Sequence, residues 1–139
     1  MKRFVILAAF LLLCLTPPSL TAGTVEDQGK AWLDAQKDPA AISVDGTWSS
    51  DAFGDLQLSQ DAGSRDVHGV GGGYGLTGIV SGKSLYLLFT SGRTVEYCAV
   101  LKSGSGNSLM GTYSDRVTRL RFGLGLCQVK GRPMFMSKK

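Results

Sequence analysis

Histidine, cysteine and long apolar runs are scarce in this chain of 139 residues, and each scarcity removes a class of function. The longest uncharged apolar run, Phe4 to Leu15, has 12 residues, short of the roughly 20 that a helix needs to cross a bilayer. A single histidine, His68, leaves a zinc site without its usual ligand set. No G-x-S-x-G nucleophile elbow occurs anywhere. Acidic residues are missing from 116–139, a stretch that carries seven basic ones. Helical patterning is confined to one short segment, which excludes α/β and all-α architectures.

The first residues read as an address rather than as fold. Lys2 and Arg3 form a positive n-region ahead of the apolar run, Pro17 and Pro18 break it, and Leu20-Thr21-Ala22 offers small residues for cleavage before Gly23. This pattern predicts a signal peptide over 1–22 and export to the periplasm or beyond. Its removal takes away Cys14, Lys2 and Arg3, so 13 bases remain against 11 acids and the net charge drops from +4 to +2. So small an excess speaks against a nucleic-acid partner, and no stable membrane span is left. Cys98 and Cys127 become the only cysteines. In an oxidising compartment they are expected to pair, closing a loop of about 30 residues worth roughly 3–4 kcal/mol in the chain-entropy model.

Residues 23–44 form an N-terminal helix or linker. Thr24 is placed to cap a helix over 24–37, Glu26 and Asp27 suit its positive end, and Val25, Trp32 and Leu33 share one face. Gly29 weakens that helix and Asp38-Pro39 ends it. Over 45–139 the texture becomes short apolar–polar alternations divided by glycine. Eight strands are expected: 54–60, 66–70, 75–80, 84–90, 94–101, 108–114, 118–126 and 132–137. Their inward sets include Leu56 and Leu58; Val95, Tyr97, Ala99 and Leu101; Leu109 and Tyr113; and Met134 and Met136. Turn residues lie at Asp61-Ala62-Gly63, Ser81-Gly82-Lys83, Ser91-Gly92-Arg93 and Gly104 to Asn107. The fold class is therefore all-β: a small antiparallel up-and-down β-barrel of about eight short strands, since closure removes exposed edges. Charge supports closure, because 23–66 has a balance of −6 and 116–139 one of +7, and a closed meander sets its first and last strands side by side.

Asp45-Gly46-Thr47-Trp48 resembles the G-x-W signature at the first strand of lipocalins and the wider calycin group, avidin-like proteins among them. The stretch from Trp48 to Leu85 is also similar to small lipocalin-like domains of bacterial secreted proteins. It carries Gly54-Asp55-Leu56-Gln57-Leu58-Ser59-Gln60, then Gly69, then glycines 75, 78 and 82. The resemblance implies that Trp48 plugs one end of the barrel and that a basic residue near the last strand covers it. Arg132 is the best-placed match and Arg121 the second. The strands are shorter than those of lipocalins that enclose hydrophobic ligands, and no further ligand-binding tryptophan of the avidin type can be matched.

Chemistry-bearing motifs have plainer explanations. Gly73 to Gly78 fits G-x-G-x-x-G, yet Ile79 to Phe89 reads as strand, whereas a phosphate cradle needs a helix there. Asp66 and His68 share one strand face without a nucleophile and read as a surface pair. Glu96, Cys98, Arg119 and Arg121 fall on polar faces, and unbroken alternation puts Cys127 with the two arginines; a bulge at Gly123 or Gly125 would turn it inward. In 84–90, Leu85, Leu87 and Phe89 face one way and Tyr86 and Leu88 the other, so one set points outward. Its cover is either the helix, through Trp32 and Leu33, or a second copy of the chain; uncovered, these residues form a partner-binding surface. The sequence thus predicts an exported binding or interaction module rather than an enzyme, requiring no cofactor or metal. Its partner is an unknown protein or small apolar ligand. An inhibitor of a secreted protease or lysozyme is the alternative, and an avidin-like small-molecule binder the third.

Overall fold

A computed structural model describes residues 25–114 and 131–139. One helix, α1 (Val25–Asp34), precedes eight strands: β1 (Gly46–Ser50), β2 (Gly54–Ser59), β3 (Asp66–Gly71), β4 (Tyr74–Ser81), β5 (Ser84–Ser91), β6 (Thr94–Ser103), β7 (Ser108–Tyr113) and β8 (Arg132–Lys138). Each strand pairs antiparallel with its neighbours in chain order, and β8 returns to β1, closing the barrel. Two-residue hairpins drive this meander. Gly72 and Gly73 both take positive φ between β3 and β4, as the turn that matches strand twist requires, and Gly82 and Gly92 do so in the next two hairpins.

The strand expected over 118–126 lies outside the described residues. The eighth member of the ring is Gly46–Ser50, and β7 meets β8 directly, Leu109 opposite Met136 and Gly111 opposite Met134. Alternation sends Trp48, Leu56, Leu58, Val67, Leu76, Val80, Leu85, Leu87, Phe89, Ala99, Leu101, Leu109, Met134 and Met136 into one interior cluster. Val95 departs from the expected pattern. Phe89 faces Tyr97 while the next residue, Thr90, faces Val95, so Glu96 is an extra residue in β6. That bulge flips parity, and Val95 joins the outer face with Cys98 and Val100.

One end of the barrel is sealed by the segment between α1 and β1. Val44 is fully buried in the core, and Trp48 Nε1 donates to its carbonyl at 2.8 Å. Gln60 staples this strap: its side-chain oxygen accepts from Val44 N at 2.7 Å and its amide donates to Ser64 O at 2.9 Å. Asp38 N donates to Ser81 Oγ, and Ala40 bridges to Gly82. Arg132 does not cover Trp48, contrary to the resemblance. Trp48 stands opposite Lys138, the last residue of β8, whereas Arg132 begins that strand opposite Tyr113. Several residue steps of about 3.3 Å each separate the two ends. One pair of opposite charges meets across the seam, Lys139 just past β8 lying with its Nζ 2.6 Å from Asp55 Oδ2 in β2, and the backbone N–H of Phe135 donates to Asp51 Oδ1 in the β1–β2 turn at 3.0 Å.

Helix α1 lies on the outside of the barrel. Gly29, Trp32 and Leu33 share its buried stripe, over Ile79, Leu88, Val95 and Cys98, with Tyr86 and Val100 at the margin. Trp32 meets Tyr86 edge-on, ring centroids 5.5 Å apart. Gly29 costs helix propensity yet permits the approach, since a Cβ there would lie 2.8 Å from Leu88 Cδ1. Beyond the helix, Arg65 donates from Nη2 to Gln36 O and from Nε to Val80 O at 3.3 Å, tying a cation to the negative helix end.

A Cβ on Gly111 would lie 1.8 Å from Val100 O in β6. Gly111→Ala should therefore cost at least the roughly 1–3 kcal/mol of an overpacked core, measurable by urea denaturation. Trp32→Ala should free the helix without opening the barrel, because a ten-residue helix is marginal without packing. Hydrogen exchange should then lose protection over α1 alone; unchanged protection there would show that Trp32 is not the anchor.

Candidate functional site

The outward residues of β5 are enclosed rather than displayed. Leu88, Trp32 and Leu33 are all buried and pack against one another, with Tyr86 half-buried beside them. As the α1 contact, these four do not present an open partner-binding surface. Both edges of β5 are paired, to β4 and β6, so the strand has no free edge for a second copy. Cys98 is buried at this contact on the outer side of β6, which is apolar here and not polar as alternation implied. Its N–H donates to Ser114 Oγ at 3.0 Å, and its Sγ lies 3.3 Å from the same hydroxyl. Cys127, Arg119 and Arg121 lie outside the described residues.

Beside α1 runs an open groove of about 490 Å³, lined among others by Lys30, Asp34, Asp66, His68, Thr77 and Arg93. Asp66 and His68 share the solvent face of β3, both exposed. The groove mixes charges of both signs, and among the described residues no three metal-ligating side chains gather. Gly73 to Gly78 forms a hairpin turn and the start of β4, the strand context already expected.

The other end of the barrel, away from the strap, concentrates aromatic rings. Tyr74 opens β4, Phe89 lies near the end of β5, Tyr97 near the start of β6, and Tyr113 closes β7. Into this crown the β1–β2 turn inserts Phe53. Its ring stacks on Phe89 with centroids 4.1 Å apart and planes at 21°. Three tyrosines meet it edge-on: Tyr113 at 5.1 Å, Tyr97 at 5.3 Å and Tyr74 at 6.1 Å. Phe89 is fully buried beneath, whereas Phe53 and the tyrosines are half-exposed. Arg132 stands at this rim, opposite Tyr113.

Below the crown lie fully buried apolar side chains. Leu56, Leu85, Leu87, Phe89 and Leu101 have no accessible surface. A chamber wide enough for water would touch the residues around it, so none lies beside these side chains. At the aromatic mouth the half-exposed tyrosines combine large apolar area with a polar tip. Period-2 alternation assigned Tyr97 and Tyr113 inward but gave no reason to single them out, and Phe53 was hidden in a turn. The available signal was positional: all five rings fall at strand ends or turns that a meander brings to the same end.

Comparison with known proteins found no matching family model, no matching curated protein and no matching solved structure.

Proposed function

We propose that this chain is an exported binding module of lipocalin-like type, acting in the periplasm or outside the cell, and that it recognises its ligand at the aromatic mouth. The observation that carries this reading is the convergence of Tyr74, Tyr97, Tyr113 and buried Phe89 on Phe53 at one end of a barrel whose opposite end is strapped shut. The fully buried apolar side chains below the crown favour a shallow ligand, such as a ring or short side chain, over a fatty chain swallowed whole. Trp48 at the strapped end supports the lipocalin-like assignment, because the G-x-W tryptophan there packs against the segment that closes the barrel. Arg132 belongs to the mouth in this reading. Catalysis is no part of it: the sequence offers no nucleophile motif for His68 and Asp66 to activate. Export further implies that Cys98 pairs with Cys127 and that residues 1–22 are removed.

Native mass spectrometry of protein purified from the export compartment should find a small-molecule adduct that Tyr97→Ser and Tyr113→Ser lose. An adduct retained by both variants would place the site elsewhere. Protein recovered without an adduct but bound to a protease or lysozyme would replace carriage with inhibition. The same preparation, denatured without reductant, should show no free thiol, and Cys98→Ser should cost about 2–5 kcal/mol. Two free thiols would overturn the disulfide.

A further inference from the structure

We infer that Phe53 is a resident occupant of a ring-binding site, and that an uncharged planar aromatic ring takes its place when the β1–β2 turn swings outward. The inference rests on the aromatic mouth being the binding site and adds the class of ligand and the element that admits it.

The five rings are not held alike. Tyr74, Phe89, Tyr97 and Tyr113 belong to β4, β5, β6 and β7, four consecutive strands each paired on both sides. Their backbone positions are fixed by the ladder of the barrel. Phe53 alone comes from a turn. Asp51 ties the base of that turn to β8, its N–H donating to Phe135 O at 3.2 Å. The tip is held by one hydroxyl, Ser50 Oγ, which accepts from Ala52 N at 3.2 Å and Phe53 N at 3.1 Å. Gly54 follows at φ 75°, with open space where a side chain would stand. Moving Phe53 therefore breaks two hydrogen bonds, a ring cluster and the close packing of its backbone on Gly72 in the β3–β4 hairpin, while the other four rings stay anchored on their strands.

The vacated place is shaped by the ring that left it. It has a buried aromatic floor, Phe89, and three tyrosines whose planes stand at 67–86° to Phe53 or to one another. Stacking and edge-to-face contacts both draw on the quadrupole of the occupant. A flat aromatic ring satisfies them, and a saturated ring of similar volume does not. None of the five residues carries a formal charge that could pair an ionised group buried among them, and the cation Arg132, opposite Tyr113 at the exposed rim, already supplies the positive charge there, so the ring that enters is an uncharged one.

Benzyl alcohol and cyclohexylmethanol are matched probes for titration calorimetry on the folded protein. Phe53 competes with the ligand, so apparent affinity is reduced by the fraction of molecules with the turn open. Phe53→Ala should bind benzyl alcohol about ten-fold tighter than the unaltered protein or better, given an open fraction near one tenth or less. Phe53→Leu, which keeps more apolar contact and guards against a fold failure in the alanine variant, should fall between the two. Adding Tyr97→Ala to Phe53→Ala should weaken binding again, and cyclohexylmethanol should bind at least several-fold more weakly throughout. Equal affinity in the unaltered protein and both Phe53 variants would overturn displacement while leaving the mouth as a site, if the natural adduct is still lost in Tyr97→Ser. Equal binding of the two alcohols would overturn the ring preference. No binding of benzyl alcohol to either Phe53 variant would overturn the inference entirely.

Discussion

Pairing of β8 with β1 is the contact on which the remaining architecture depends. Without it the meander has two open edges, each a row of unsatisfied backbone donors and acceptors. With it every strand has two partners and the inward side chains face one another across a closed interior. The register sets Trp48 opposite Lys138 and Ser50 opposite Met136. Electrostatics assist at modest strength, since Asp55 and Lys139 are both more than half exposed and such pairs contribute on the order of 0–1 kcal/mol. The larger contribution is burial of Trp48, Met134 and Met136 behind the seam.

Closure creates two ends, and the chain treats them differently. Backbone from the N-terminal side seals one with Val44, held by the Trp48 indole and by Gln60 reaching back from the end of β2. The geometry of that corner comes from hydrogen bonds whose donors and acceptors would otherwise be orphaned in a buried place. The same N-terminal segment supplies α1, whose Trp32 and Leu33 cover the apolar outer side of β5 and β6. A barrel strand buries one face by construction, so an apolar second face needs a cover of its own.

At the far end no backbone strap occurs among the described residues, and side chains do the sealing. Phe53 completes a stack that Phe89 begins, and the tyrosines present both ring surface and hydroxyl at the boundary with solvent. Beneath the half-exposed aromatic crown, Leu56, Leu85, Leu87 and Leu101 are fully buried. This separates the protein physically from wide barrels that hold extended apolar chains.

Alternation and turn chemistry made much of the fold legible. The all-β class, the approximate boundaries of β2 to β7, the inward sets of Leu56, Leu58, Met134 and Met136, and the division of β5 into a Leu85, Leu87, Phe89 face and a Tyr86, Leu88 face all come from period-2 patterning between glycine turns, because a strand's side-chain direction is a local property. The short outer-face helix was legible for the same reason, since Trp32 and Leu33 fall on one side of a helical projection. Other features are not local. One extra residue at Glu96 moved Val95 to the other face, and no spacing announces where a ladder will slip. Arg132 was assigned to Trp48 by resemblance, but the register of β8 decides which end of the strand a residue occupies. The mouth depends on tertiary structure most of all: residues 53, 74, 89, 97 and 113 are separated in sequence and become one cluster only when ring closure fixes the relative height of five chain segments. By itself, the sequence determined the alternation of faces along each strand; only the closed barrel decided where the bulge at Glu96 breaks it and which inward residues meet at the mouth, because alternation is set one residue at a time, whereas register and height are set by the pairing of the whole ring.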